Sequence, residues 1–131
     1  MYRSYSGNDR RRFQRLRMNL SVIYRVDQPV AVRMMIGEKE VEATMLDLSE
    51  GGMGFLTEYN IPAGTSLFIK FTLFRVSSDG KVNFYGPVVI GGEVRSNVLF
   101  EKKYRLGICF SQIEPQDKTE MAAFLSLAKA T

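Results

Sequence analysis

Apolar residues recur at every second position in one short run after another along this chain. In residues 20–26, Leu20, Val22, Tyr24 and Val26 fall on one side and Ser21, Ile23 and Arg25 on the other. A period of two is the strand period, because successive side chains point to opposite faces of a pleated backbone. Residues 40–46 repeat it, with Val41, Ala43 and Met45 facing one way, and residues 53–57 form a short strand entered through Gly54. In residues 66–74, Leu67, Ile69, Phe71 and Leu73 oppose Phe68, Lys70, Thr72 and Phe74. Residues 83–98 read as a strand with a bulge at Gly91-Gly92, and residues 104–110 alternate with Leu106, Ile108 and Phe110 inward. Residues 30–36 read as another strand, or as the first one resumed after Asp27-Gln28-Pro29. Turn-forming clusters separate the runs: Gly37-Glu38-Lys39, Ile61-Pro62-Ala63-Gly64 and Ser77-Ser78-Asp79-Gly80.

Only the last segment is helical in pattern. Pro115 suits a first helical position and Asp117 complements the helix dipole. Met121, Phe124, Leu125 and Ala128 then form one apolar stripe. Packing on a sheet explains that stripe better than membrane binding, for which it carries too few basic residues. Many short antiparallel strands and one terminal helix predict a mainly β fold, a small barrel or sandwich. Met34, Met35, Met45 and Met53 are expected as core filler. Phe68 and Phe74 are expected on an outer face, where they hint at a protein contact.

With 131 residues the chain suffices for one domain. Such a domain needs no disulfide or metal to fold. A single cysteine, Cys109, permits no intrachain disulfide. No apolar run approaches the roughly 20 residues that span a membrane, and no signal-peptide h-region opens the chain. These features together predict a cytoplasmic protein without membrane insertion. The absence of histidine removes His-based acid/base catalysis and His metal sites. No phosphate-binding P-loop or nucleophile elbow is present. The expectation is a protein that is not an enzyme and has neither metal nor cofactor.

The net charge of +4 is unevenly spread. Arg3, Arg10, Arg11, Arg12, Arg15, Arg17 and Arg25 crowd the first 25 residues, where Asp9 is the only acid. A basic arm on a near-neutral body points to an anionic partner, and arginine rather than lysine points to planar, bidentate recognition. Arg11 and Arg15 stand four positions apart. Their guanidinium forks suit phosphates and the O6/N7 edge of guanine. Further on, Asp47-Leu48-Ser49-Glu50-Gly51-Gly52 combines a carboxylate, a hydroxyl and a glycine turn. The carboxylate is an acceptor for guanine N–H groups, and exposed backbone N–H groups in the turn suit an anion. A ligand that is both guanine and phosphate would use both sets.

Taken together, these two motifs resemble those of the PilZ domain, the bacterial receptor module for cyclic di-GMP. Arg11-Arg12-Phe13-Gln14-Arg15 matches the family's RxxxR pattern and Asp47 to Gly52 its DxSxxG pattern, each occurring once and in family order. Tyr104-Arg105-Leu106-Gly107-Ile108-Cys109-Phe110, followed by a proline-led helix, resembles the close of the family's barrel. The gap between Arg15 and Asp47 is somewhat long for the family.

The resemblance implies a six-stranded antiparallel PilZ-type β-barrel with a C-terminal helix. Residues 1–9 are then a disordered tail, 10–18 a flexible ligand-binding arm, 19–111 the barrel and 115–129 the helix, with the domain covering 10–131. It implies cyclic di-GMP contacts from Arg10, Arg11, Arg15, Asp47, Ser49, Gly51 and Gly52, with Arg12, Gly54 and Arg95 as further candidates. An arginine at position 10 is associated in this family with a stacked pair of ligands, so two molecules per chain are expected. The expected function is a receptor whose arm moves on binding and signals to a protein effector in motility, biofilm or secretion control. Two other readings stand beside it. One is a small basic barrel binding single-stranded nucleic acid, which the lysine-poor strands disfavour. The other is a PilZ-like adaptor that binds no nucleotide.

Overall fold

The computed structural model describes residues 15–130. The tail at residues 1–9 and the arm residues Arg10, Arg11 and Arg12 lie outside them. Six strands form the sheet: β1 (Leu16–Gln28), β2 (Val41–Leu48), β3 (Gly52–Thr57), β4 (Ser66–Val76), β5 (Val82–Phe100) and β6 (Lys103–Ile113). Every neighbouring pair is antiparallel, and the order β1-β2-β3-β6-β5-β4 closes on itself as a barrel. Closure removes the unpaired edges that make an open sheet of this size liable to aggregate.

The alternation seen in the sequence is the alternation of burial. Val22, Tyr24 and Val26 of β1, Met45 of β2, Phe55 of β3, Leu67 and Ile69 of β4, Ile90 and Val94 of β5 and Leu106 of β6 are all essentially inaccessible. Tyr24 and Phe55 stack at 5.1 Å between ring centroids. The Tyr24 hydroxyl is paired with Thr57 Oγ1 at 2.7 Å, which satisfies the one polar atom that this ring carries into the core. A helix at Pro115–Ala130 follows β6, and Met121, Phe124 and Leu125 bury its stripe. It packs mainly on β5, where Phe124 meets Tyr85 edge-on at 5.6 Å, and the Asp117 carboxylate accepts the Val89 N–H at 3.3 Å.

Three expectations are corrected. Residues Val30–Ile36 are a short α-helix, α1, and not a strand, so the C-terminal helix becomes α2. The Pro29 carbonyl accepts the N–H groups of Val32 and Arg33, and Gly37, at φ 98°, closes the helix by donating to the Arg33 carbonyl. Val32 and Ile36, one helical turn apart, are the residues that α1 buries. Their contact with the core outweighs the β preference of a Val/Ile-rich run, a propensity set by packing context. Met34 and Met35 consequently face solvent, each 77% exposed, whereas Met45 and Met53 are core filler as expected. Lastly, β1 begins at Leu16, so residues 16–18 belong to the barrel and not to the arm.

The expected bulge at Gly91-Gly92 is present as a shift in the β5–β6 register. Phe74 is exposed on β4 as expected, paired across the hairpin with exposed Phe84. Phe68 is half-buried beneath the Arg25 guanidinium, 4.7 Å from its ring centroid.

Candidate ligand-binding site

Register, more than sequence proximity, builds the site. In β2, Val41, Ala43 and Met45 point inward, and strict alternation would send Asp47 after them. The β2–β3 pairing shifts between Met45 and Asp47, so Met45 faces Phe55 while Asp47 faces Gly54. Leu46 is the extra residue of a β-bulge, and a bulge re-aims the side chains that follow it. Asp47 therefore turns to the outer face and Leu48, completely inaccessible, takes the inner one. A second shift between Val94 and Ser96 makes Arg95 the extra residue on β5 and pairs Ser96 with Gly107.

One transverse row now crosses five strands: Arg17 on β1 beside Asp47, Asp47 beside Gly54, Gly54 beside Gly107, and Gly107 beside Ser96. The two glycines leave bare backbone in the middle of the row. A Cβ on Gly54 would stand 3.0 Å from Asp47 Oδ2, and one on Gly107 would overlap the Ser96 hydroxyl. Above this floor lies a cavity of about 650 Å³, lined also by Arg15, Arg105, Val98 and Phe100. That volume is in the range of small-molecule sites, ~300–1,000 Å³. Its charged lining is three arginines and one carboxylate, an excess of positive charge suited to an anionic ligand.

Asp47 is the centre of the charge network. Arg15 Nη1 donates to its Oδ1 at 2.7 Å and Arg105 Nη2 to its Oδ2 at 3.0 Å. The Asp47 side chain is 10% exposed, against 38% for Arg15 and 53% for Arg105, so the arginines shield the acid while staying accessible themselves. The last arginine of the first motif and the acid of the second, 32 positions apart, are thus joined directly.

Ser49, Gly51 and Gly52 do not line this cavity. The Ser49 hydroxyl accepts the N–H groups of Gly51 and Gly52, both at 3.2 Å, and the Ser49 N–H donates to the Gly52 carbonyl at 2.9 Å. In the ligand-free domain the Gly51 and Gly52 N–H groups are thus held by the turn's own hydroxyl. Gly52 has its own reason to be glycine, since a Cβ there would overlap the Ile108 carbonyl oxygen of the neighbouring strand. Arg95 does not line the cavity either; it is exposed and 3.7 Å from Glu93. Arg105 is the functional candidate that sequence reasoning missed as a site residue. Alternation placed it on the outer face of β6, opposite Leu106 and Ile108, but nothing local says that β6 lies one strand from β2.

The comparisons with known proteins agree with this architecture. A family model of the PilZ domain matches residues 9–127. The chain belongs to the PilZ domain family. Among solved structures, the Bacillus subtilis inhibitor of motility MotI/DgrA is similar at a TM-score of 0.67 and 17% identity, over 94% of this chain and 53% of that one. The PilZ domain of Escherichia coli YcgR with cyclic di-GMP is similar at 0.53 and 19%, over 93% of this chain and 94% of that one. Escherichia coli YcgR in complex with cyclic di-GMP is similar at 0.55 and 17%, over 92% of this chain and 47% of that one. This PilZ chain spans about half the length of the MotI/DgrA chain and of the YcgR chain in that complex. At these identities the likeness is one of fold. No curated protein matches the chain in sequence. Among the described residues of the PilZ chain, no helix is long and apolar enough to cross a membrane, and no cluster of three or more His, Cys, Asp or Glu side chains could hold a metal.

Proposed function

We propose that this PilZ domain is a receptor for cyclic di-GMP, and that it transmits ligand occupancy through its arginine arm to a protein effector. The observation that carries the reading is the Arg15–Asp47 pair at 2.7 Å on the wall of the cavity. It couples a guanidinium suited to phosphate or guanine O6/N7 to a carboxylate suited to guanine N1–H and N2–H. The YcgR structures with cyclic di-GMP lend support, as relatives in fold that hold this ligand.

In the ligand-free domain the pair satisfies both charges. Cyclic di-GMP offers each partner a replacement: phosphate for Arg15, the guanine edge for Asp47. Arg10, Arg11 and Arg12 add further forks from the same segment, so binding draws the arm onto the barrel and creates a surface that a partner can read. No bond is made or broken, and the protein is a receptor rather than an enzyme. Arg10 supports two ligand molecules per chain, in motility, biofilm or secretion control. The ligand-binding unit in this reading runs from Arg10 to Thr131, with Arg10 to Arg15 as the arm.

Isothermal titration with cyclic di-GMP, with GTP and a short single-stranded oligonucleotide as controls, tests the proposal. Selective binding of cyclic di-GMP near two per chain is expected, with Arg15→Ala or Asp47→Ala each weakening it by at least about tenfold, the worth of a charge-assisted hydrogen bond. Absence of binding to cyclic di-GMP would overturn the receptor reading. Salt-sensitive binding to the oligonucleotide instead would favour a nucleic-acid barrel.

A further inference from the structure

Asp47 is gripped by two arginines that differ in how they are held. Arg15 stands ahead of β1, outside any strand pairing. Arg105 lies inside β6, paired with Leu56 of β3 on one side and Val98 of β5 on the other. Arg15 can exchange its Asp47 contact for a ligand phosphate without breaking any strand pairing, whereas the Arg105 backbone is fixed by the ladders on both flanks.

A guanine edge presents two parallel N–H donors, so a carboxylate must lie in the plane of the base to meet both. The terminal torsion of an aspartate is soft, and a lone carboxylate would sample a broad range of orientations. A charge-assisted bond from a guanidinium carried on a strand paired on both sides narrows that range. The carboxylate also lies over the bare Cα of Gly54, where an added Cβ would stand 3.0 Å from Oδ2 and 3.3 Å from Oδ1.

We infer that Arg105 is the positioning residue for the guanine acceptor: it keeps Oδ2 of Asp47 in place while Arg15 leaves Oδ1 for the ligand. The inference rests on the cyclic di-GMP reading and deepens it. Each carboxylate oxygen has two acceptor positions, so Oδ2 serves Arg105 and the base together. Arg105 in this role sets selectivity for guanine and contributes little to holding phosphate.

Titration calorimetry with two ligands separates these roles. Cyclic di-GMP is compared with its hypoxanthine analogue cyclic di-IMP, which keeps both phosphates, O6 and N7 but lacks the 2-amino donor. Wild type is expected to prefer cyclic di-GMP by about tenfold or more. Arg105→Ala should lose at least half of that preference on a logarithmic scale, with most of its affinity loss confined to cyclic di-GMP. Arg105→Gln, which keeps a neutral donor, should fall between, and adding Arg105→Ala to Asp47→Ala should change neither affinity further. Equal weakening toward both ligands would overturn the inference in favour of a phosphate contact, as would an unchanged preference. Wild type that fails to bind cyclic di-GMP at all would remove the receptor reading itself, a result visible before any variant is made. Arg105 is 53% exposed at its side chain, so the variants are expected to fold, and a thermal melt of each verifies it.

Discussion

Gly52→Ala separates a glycine needed for the fold from one needed for the site. Gly52 opens β3 and pairs with Cys109 of β6. An added Cβ would overlap the Ile108 carbonyl oxygen, crowd the Ile108 carbonyl carbon at 3.3 Å and touch the Cys109 Cα at 3.5 Å. All three are backbone atoms within a strand ladder, so no side chain can rotate out of the way. Relief requires β3 and β6 to separate where barrel closure depends on them, and it also strains the turn in which the Ser49 hydroxyl receives the Gly51 and Gly52 N–H groups. Overpacking of this kind costs roughly 1–3 kcal/mol. Unfolding entropy of about 2.1 cal/mol/K per residue gives roughly 0.28 kcal/mol/K for a chain of 131 residues, so a loss of about 2 kcal/mol lowers Tm by about 7 °C. Gly54→Ala makes an informative comparison. Its Cβ would meet the Asp47 carboxylate at 3.0–3.4 Å, a side chain able to give by a few tenths of an ångström. That variant should melt within about 2 °C of wild type, the sign of a small adjustment, yet bind cyclic di-GMP more weakly. Differential scanning calorimetry of the two variants decides the matter. A Gly52→Ala protein that melts with wild type would refute the steric argument and return Gly52 to the ligand.

Two further outcomes follow from the core. Burial raises the Tyr24 hydroxyl from 10.0 to about 12, the Thr57 hydrogen bond acting against it and Tyr59 adding to it. Between those values the unfolded chain has released the proton that the folded chain retains, so this contribution is full below pH 10 and disappears as pH rises toward 12. Urea midpoints at about pH 9.5 and 11.5 should show wild type losing on the order of 1–2 kcal/mol more than Tyr24→Phe; equal losses would assign the alkaline transition to other groups. For α1, Ile36→Ala should destabilise by about 2 kcal/mol, and Met34→Gln by less than about 0.5 kcal/mol. A strand would bury Met34 on the same side as Val32 and Ile36, so a costly Met34→Gln in equilibrium unfolding would contradict the helix.

The fold was legible because it depends on a local signal. Alternation marked four of the barrel strands, short apolar runs bounded by turns marked the other two, and the stripe of Met121, Phe124 and Leu125 marked the terminal helix. The error at residues 30–36 has a physical cause. Valine and isoleucine favour strands when their neighbours form a sheet, but here the contact available to Val32 and Ile36 requires a spacing of four. The motif residues were legible as chemical types: Arg15 and Asp47 are joined by an ion pair of 2.7 Å. Their roles were not all legible. That the Ser49 hydroxyl receives the Gly51 and Gly52 N–H groups within the turn is not visible in a linear string.

Strand content, the terminal helix and the clustering of arginines near the N-terminus were determined by the order of residues, since each rests on periodicity or on charge within a short window. Tertiary structure alone decided which groups share a cavity. Strict alternation along β2 would bury Asp47 in the core without a partner. Its outward direction comes from one extra residue, Leu46, that β3 does not match, and a bulge is a property of two strands and not of one. Arg105 enters the site for the same reason: 58 positions from Asp47 in sequence, it comes within 3.0 Å only because closure of the barrel sets β6 beside β3.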